Sequence, residues 1–193
     1  MFSPKLKEYT IVLASSSPRR QQFFKDLGLD FEIRLREIDE VYPEHLKAHE
    51  ITDFLAELKG NAFEGNLKEN EILVTSDTIV WHQNLALGKP KNTEDAFKML
   101  KNLSNATHQV ITSVSFKTPS KVTTLHDYTQ VTFTTLTDEM IHYYLTHFKP
   151  FDKAGSYGIQ DWIGLVGVQS ITGSYTNVMG LPTHLVFDFF KKF

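Results

Sequence analysis

The chain has 193 residues, of which 41% are hydrophobic and 22% are charged, a balance typical of a globular domain. Its net charge of −3 disfavours nonspecific nucleic-acid binding, which needs a basic surface. The absence of cysteine excludes disulfides, thiolate catalysis and cysteine-based metal centres.

The N-terminal sequence MFSPKLKEYTIVLASSSP has an apolar run too short for a signal peptide. No segment approaches the ~20 apolar residues that span a bilayer. We therefore expect a cytoplasmic protein without a membrane partner. The length suits one domain over residues 1–193, either undivided or built as two lobes.

The pattern of apolar residues predicts alternating helices and strands. Residues 9–14 predict a buried strand, and residues 18–27 predict a helix that Ser17 caps and Pro18 begins. The next predicted elements are a strand in DFEIRLREI, a helix over residues 50–63, one or two strands in EILVTSDTIVWH and a helix capped by Thr93. The last are two β-rich runs in HQVITSVSF and VTTLHDYTQVTFTTL, a helix capped by Thr137, a strand in GLVGVQSI and a final helix begun by Pro182. This order predicts an α/β protein with a mixed sheet.

The stretch LASSSPRR joins the first strand to the first helix. Backbone N–H groups at a helix N-terminus and the hydroxyls of serines such as Ser15 can bind an anion. Arg19 and Arg20 stand where the helix dipole disfavours cations, and they point about 100° apart on the helix. Either both point into water, or they bind different parts of an anionic ligand.

Asp77 interrupts the apolar run of EILVTSDTIVWH. A buried carboxylate is costly unless it is paired, hydrogen-bonded or bound to a metal. Read alone, the pattern favours a strand-end turn in which Asp77 caps a local N–H. The alternative is an acid that holds a divalent cation or accepts a proton from water.

Two loops and one helix carry further polar candidates. Lys89 in LGKP suits a phosphate oxygen, and Lys59 lies near the apolar stripe of its helix, although either lysine could belong to an ordinary surface. Glu40 lies in an acidic loop. In DKAGSYGIQ, Lys153 follows an aspartate, and Gln160 offers the amide donor and acceptor that reading a base edge needs.

Seven stretches together resemble the Maf family of nucleotide pyrophosphatases. They occur in the family's order from about residue 11 to the C-terminus, which leaves residues 1–10 as an N-terminal extension. The matching stretches are LASSSPRR, FEIRLREIDE, LAELKGNAF, SDTIVW, LGKPKNTEDAFKMLKNLSNATHQVITSV, FDKAGSYGIQ and GSYTNVMGLP.

The resemblance implies a two-lobed single α/β domain around a long mixed β-sheet, with flanking helices and a central cleft. It implies hydrolysis of nucleoside triphosphates to a monophosphate and pyrophosphate with a divalent metal, Mg²⁺ or Mn²⁺. The combination of SDT with GIQ resembles the branch that acts on dTTP and UTP, rather than the branch for 7-methyl-GTP. Modified pyrimidine nucleotides are included in the expected substrates.

The resemblance also implies roles for individual residues. Asp77 is the catalytic proton acceptor, and Glu40 is its acidic partner for metal or water. The phosphate-binding cations are Arg20, Lys59 and Lys89, of which Lys89 also assists catalysis. Base choice is assigned to Arg19, Thr78 and Gln160. The substrate site is completed by Ser15 and Lys153.

A non-catalytic alternative is a regulator of cell division or septum formation that binds a nucleotide or a protein partner. The resemblance suggests a homodimer, but no stretch of the sequence requires one. Direct DNA binding is disfavoured by the negative net charge.

Overall fold

The computed structural model describes residues 2–193. The strands are β1 Thr10–Leu13, β2 Phe31–Ile33, β3 Glu71–His82, β4 Leu85–Leu87, β5 Thr107–Lys117, β6 Val122–Phe133 and β7 Val168–Thr172. The α-helices are α1 Pro18–Asp26, α2 His49–Asn61, α3 Thr93–Leu103, α4 Asp138–Phe148, α5 Trp162–Gly167, α6 Tyr175–Val178 and α7 Thr183–Lys192. Short 3₁₀ turns cover Pro4–Glu8 and Ala154–Ser156.

The strands form a seven-stranded sheet in the order β2-β1-β3-β5-β6-β7, with β4 paired to β3. Strand β1 is parallel to β2 and β3, whereas β4 is antiparallel to β3 and β7 is antiparallel to β6. The hydroxyl pairs Thr107–Thr132 and Ser115–Thr124 indicate that β5 and β6 are also antiparallel, because positions fall along one strand as they rise along the other. The predicted α/β class with a mixed sheet is confirmed.

The chain groups into two compact units. The first unit contains the residues up to Asp77 together with Thr112–Asp127 and Gly180–Phe193. The second unit contains Thr78–Ile111 and Tyr128–Met179. Strands β3, β5 and β6 each contribute residues to both units.

In the first unit, alternate residues of β3 face opposite sides of the sheet. Ile72 and Val74 share a buried cluster with Phe24 of α1 and with residues of α7. Leu73 packs with Phe63, just after α2, and the neighbouring Thr75 hydroxyl donates to the carbonyl of Ala56 in α2. Helices α1 and α7 therefore cover one side of β3, and α2 covers the other.

In the second unit, α3 and α4 cover a core that includes Val80 of β3 and Phe133 of β6. Gly155 packs against this core with a φ of +66°, and a Cβ atom there would lie 2.7 Å from Val80 Cγ2. Its N–H donates to the carbonyl of Gly88 at 3.0 Å. Only glycine combines this backbone conformation with so close an approach, and the Gly155 turn is thereby held against the loop after β4.

Two predicted strands differ in the structure. Strand β2 ends at Ile33, and the apolar residues that suggested a longer strand, Ile33 and Leu35, are 51% and 55% exposed. These two side chains therefore do not pack into the hydrophobic core, and the strand does not extend beyond Ile33. The first half of GLVGVQSI completes the short helix α5, in which Leu165 is exposed, and only its second half is the strand β7.

Helix starts were predicted more closely. Ser17 and Thr137 cap α1 and α4 as predicted, each by accepting an N–H of the first turn. The cap of α3 was wrong by one position. Asn92 rather than Thr93 is the cap, because its side-chain oxygen accepts the N–H of Asp95, three residues later, at 2.9 Å.

Candidate active site

The turn between β1 and α1 is organised by its serines. Ser17 Oγ accepts the N–H of Arg20 at 3.4 Å, and Ser15 Oγ accepts the N–H of Ser17 at 3.3 Å. Ser15 is buried, and its carbonyl accepts the side-chain amide of Gln21 at 3.0 Å. These bonds hold the helix N-terminus in one conformation before any ligand arrives.

Arg20 projects from this turn towards β3. Its Nε donates to the carbonyl of Gly180 at 2.7 Å, and its Nη1 donates to the carbonyl of Ser76 at 2.9 Å. Burial lowers the pKa of Arg20 from its usual value, while the nearby charge of Asp77 acts in the opposite direction. Its two hydrogen bonds fix the position of the guanidinium, and an arginine side chain stays protonated in proteins.

Asp77 lies inside β3, which runs without interruption from Glu71 to His82. The strand-end turn that the local pattern favoured is therefore wrong. Asp77 is buried, and its Oδ1 accepts from Lys59 Nζ at 2.6 Å. This charge-assisted bond supplies the partner that a buried carboxylate requires.

Lys59 projects inward from α2 and contacts two carboxylates. Its Nζ lies 2.6 Å from Asp77 and 3.0 Å from Glu40 Oε1. It also donates to the Ser76 carbonyl at 3.5 Å, the same oxygen that accepts from Arg20. Lys59 thus contacts Glu40 and Asp77 directly, and it shares the Ser76 carbonyl with Arg20.

The segment that carries Glu40 is anchored by a pair that the sequence analysis did not single out. Arg34 donates to Glu71 through both Nη1 and Nη2, at 3.0 and 2.9 Å. The hydrogen bond raises the pKa of Arg34 and lowers that of Glu71. Glu71 could have been noticed in the sequence, because it is a charged residue at the start of the apolar strand EILV. Its partner Arg34 could not, because the two residues lie far apart in sequence.

The cluster formed by Glu40, Lys59 and Asp77 has a donor set suited to a hard cation. Both carboxylates direct an oxygen at the same ammonium group. Mg²⁺ and similar ions prefer oxygen ligands and retain several waters, so two acidic residues suffice. The residues expected to hold a divalent metal, Glu40 and Asp77, therefore fit that group chemically.

The second unit carries four of the predicted residues, Thr78, Lys89, Lys153 and Gln160. Lys89 is exposed in the loop after β4, next to Gly88, whose carbonyl binds the Gly155 turn. Lys153 precedes that turn, and its Nζ lies 2.8 Å from Asp152 and 3.9 Å from Asp161. Gln160 is exposed at the end of the same segment. The Gly155 turn thus holds the loops of Lys89 and Lys153 together.

Arg19 and Thr78 are half-buried, the former in the first turn of α1 and the latter directly after Asp77 in β3. Successive residues of a strand point to opposite faces, so the side chain of Thr78 projects away from the face that Asp77 uses. Arg19 adds positive charge beside Arg20 and lowers the pKa of its guanidinium. Their predicted part in base choice stays a prediction.

The amino-acid sequence that forms this cluster matches a known protein family. Residues 10–193 match the family described as Maf-like protein. The chain belongs to the Maf-like protein family. The resemblance read from the seven sequence stretches is confirmed, and the match begins one residue before the position expected.

Curated relatives of this Maf-like chain match it over nearly its whole length. A dTTP/UTP pyrophosphatase of Flavobacterium johnsoniae is 68% identical and covers 98% of this chain and 97% of its own. A dTTP/UTP pyrophosphatase of Flavobacterium psychrophilum is 63% identical and covers 97% of this chain and 96% of its own. Among solved structures, the Ham1 protein of Staphylococcus aureus matches 64% of this chain and 71% of its own at 15% identity, with a TM-score of 0.45.

None of the helices described within residues 2–193 is both long enough and apolar enough to cross a bilayer.

Proposed function

We propose that this chain hydrolyses nucleoside triphosphates to a nucleoside monophosphate and pyrophosphate, with dTTP and UTP as preferred substrates. The observation that carries the proposal is the buried Asp77 carboxylate bound by Lys59 at 2.6 Å, with Glu40 on the same ammonium. The names of the relatives, dTTP/UTP pyrophosphatase, support the same activity.

Binding of the triphosphate depends on positive charge. We assign Arg20, Lys59 and Lys89 to the phosphate groups, with Lys153 and the ordered Ser15 turn completing the site. Arg20 and Lys59 are held by backbone carbonyls, so little reorganisation is needed when charge develops on the departing pyrophosphate. Fixed cations therefore favour the transition state over the free substrate.

We assign proton abstraction to Asp77. Lys59 binds one of its oxygens, Oδ1, and we assign the water proton to the other. The bond from the Lys59 ammonium holds this carboxylate in a fixed orientation. Such positioned general bases typically contribute about 10²–10⁴-fold to a reaction rate.

We assign the divalent metal, Mg²⁺ or Mn²⁺, to Glu40 and Asp77. When bound, such an ion lowers the pKa of a water ligand and polarises phosphoryl oxygens. Glu40 is held near Asp77 through Lys59, and Arg34 anchors the preceding backbone by its salt bridge with Glu71. The chain itself thereby orients both acidic ligands.

Base selection is assigned to Arg19, Thr78 and Gln160. Gln160 follows the Gly155 turn, and its primary amide offers a donor and an acceptor, the combination that matches the edge of a pyrimidine.

We place the enzyme in the cytoplasm, where nucleoside triphosphates are consumed, and assign it the removal of surplus or modified pyrimidine nucleotides.

Product analysis in ¹⁸O-labelled water tests the proposal. With dTTP, UTP and the other nucleotides as substrates and Mg²⁺ present, we expect equal amounts of monophosphate and pyrophosphate. The ¹⁸O label should appear in the monophosphate, because water attacks the α-phosphorus. Formation of a nucleoside diphosphate and orthophosphate, or label in pyrophosphate, would contradict the proposal.

A further inference from the structure

Three side chains outside the candidate active site form a second polar cluster. His49 and Asp53 lie four residues apart on α2, and His126 lies on β6. His126 Nδ1 is 3.1 Å from Asp53 Oδ2, and the rings of His49 and His126 have centroids 4.2 Å apart. One ligand atom from each of the three residues lies within 4.8 Å of the other two.

Asp53 is oriented by buried hydroxyls. Its Oδ1 accepts from Ser113 Oγ at 2.6 Å, and Ser113 Oγ lies 2.6 Å from Thr52 Oγ1. Because the Ser113 proton is donated to Asp53, the single Thr52 proton is shared between Ser113 Oγ and the carbonyl of His49, which lies 3.1 Å away. Thr52 and Ser113 are fully buried, so this chain of hydroxyls fixes the carboxylate from behind. Metal-binding carboxylates and histidines are commonly oriented by such partners.

We propose that His49, Asp53 and His126 bind a divalent transition-metal ion of the Zn²⁺, Co²⁺ or Ni²⁺ class. Two imidazoles and one carboxylate are ligands typical of these ions, whereas Mg²⁺ favours oxygen ligands alone. Ligands at tetrahedral zinc lie about 3.3 Å from one another, so small side-chain rotations suffice to close the cluster. The fourth position is left to water.

The site is separate from Glu40 and Asp77 and does not depend on the proposed activity. Lys59 follows Asp53 by six residues on α2, about 9 Å along the helix axis and on another face of it. Imidazole ligands further distinguish the two sites, because the proposed catalytic cluster contains only oxygen ligands.

Binding of an ion here would act on the start of α2. Ala48, the residue before the helix, has a φ of +50° and no side-chain cap. Non-glycine residues in positive-φ conformations persist where surrounding structure holds them. A metal joining His49 and Asp53 in α2 to His126 in β6 would hold this strained helix start against the sheet.

Metal titration of the full-length, untagged protein tests the inference. With excess Mg²⁺ present to saturate the proposed oxygen-ligand site, we expect one Co²⁺ or Zn²⁺ per chain by calorimetry, visible d–d bands with Co²⁺, and a rise in Tm with Zn²⁺. His126→Ala and His49→Ala should weaken binding by about 100-fold or more, and Ser113→Ala by about 10-fold, through loss of orientation. His126→Gln, a less disruptive change, should abolish the Tm rise as well.

Two controls separate this site from others. His147→Ala removes an exposed histidine of α4 and should leave the titration unchanged. Asp77→Asn removes the proposed catalytic carboxylate and should also leave Co²⁺ binding here unchanged. Equal Co²⁺ affinity in the wild type and in His126→Ala, or no saturable binding in the wild type, would overturn the inference.

Discussion

Lys59 Nζ lies 2.6 Å from Asp77 Oδ1 and 3.0 Å from Glu40 Oε1, so one ammonium joins two carboxylates from different parts of the chain. The side chains of Lys59 and Asp77 are only 18% and 9% exposed. Solvent therefore screens this pair much less than the exposed ion pairs of the surface. A water molecule and a triphosphate would meet preset charges there.

Asp77→Asn removes the proposed proton acceptor while keeping the size of the side chain. We expect kcat for dTTP to fall by about 10²–10⁴-fold, because general-base assistance is lost. Nucleotide binding measured by calorimetry should persist, since the cations stay in place. Asp138→Asn, which alters an exposed aspartate paired with Lys101, is the matched control and should retain full activity. Near-normal turnover in Asp77→Asn would remove Asp77 from the mechanism.

Lys59→Met leaves the buried Asp77 carboxylate without its ammonium. We expect the free energy of unfolding to fall by about 1–3 kcal/mol, the usual cost of an unsatisfied buried polar partner. Adding Asp77→Asn removes the unpaired charge and should recover most of that loss, while activity stays low. Urea unfolding of both single variants and the double variant measures the coupling. Strictly additive losses would show that the pair does not interact energetically.

The Arg34–Glu71 pair predicts a pH dependence of stability. Arg34 lowers the pKa of Glu71 below its ordinary value of 4.5, so the folded state favours the charged carboxylate. The resulting stabilisation is present above that ordinary value and is lost as pH falls through the lowered pKa. The difference in unfolding free energy between wild type and Glu71→Gln should therefore be constant near neutrality and shrink in acid.

Glu94→Gln is the control for that experiment. Lys98 lowers the pKa of Glu94 as well, but this pair is exposed on the surface of α3. Exposed ion pairs contribute little to stability, so we expect a much smaller effect of this variant at every pH. If Glu94→Gln lowered the free energy of unfolding as much as Glu71→Gln does, burial of Glu71 would not explain the larger contribution of its ion pair.

Gly155→Ala tests the close packing that holds the Lys89 and Lys153 loops together. The new Cβ would lie 2.7 Å from Val80 Cγ2 on a backbone with a φ of +66°. We expect a loss of stability and a raised KM for dTTP, because the turn must shift. Gly65→Ala has a φ of +70° with nothing within 4 Å, so it isolates the conformational cost, about 1–2 kcal/mol.

The expected order is that Gly155→Ala destabilises the protein more than Gly65→Ala in thermal and urea unfolding. Val80→Ala should partly rescue Gly155→Ala by removing the clashing methyl groups. Equal losses for the two glycine variants would mean that the contact with Val80 imposes no constraint.

Gln160→Ala tests base recognition. We expect the ratio of kcat/KM for dTTP to that for the purine triphosphates to fall, with a smaller change in triphosphate affinity. Loss of one base-reading hydrogen bond should reduce discrimination by about 1–3 kcal/mol. Gln169→Ala, in an exposed position of β7, is the control. A uniform loss across all nucleotides would exclude Gln160 as a base reader.

Helix starts and a buried strand were predicted correctly where the residues that determine them lie within one short segment of the sequence. Ser17, Pro18 and Thr137 predicted helix starts because capping depends on donors within the following turn. The buried strand β1 was predicted because its apolar run is consistent over its length. The alternation of apolar and polar residues from Ile33 to Leu35 wrongly predicted a longer strand, because both apolar side chains are exposed. A periodic pattern does not show whether a hydrophobic core is there for the apolar residues to pack against.

Sequence alone determined the α/β class, the family and the set of charged residues, because residue type and order carry that information. Only the tertiary structure decided that Lys59 joins Asp77 to Glu40, that Arg34 pairs with Glu71, and that His49, Asp53 and His126 meet. These partners are separated by up to 77 residues along the chain, from His49 to His126. Sheet pairing and helix packing bring them together, and local patterns do not encode the resulting distances.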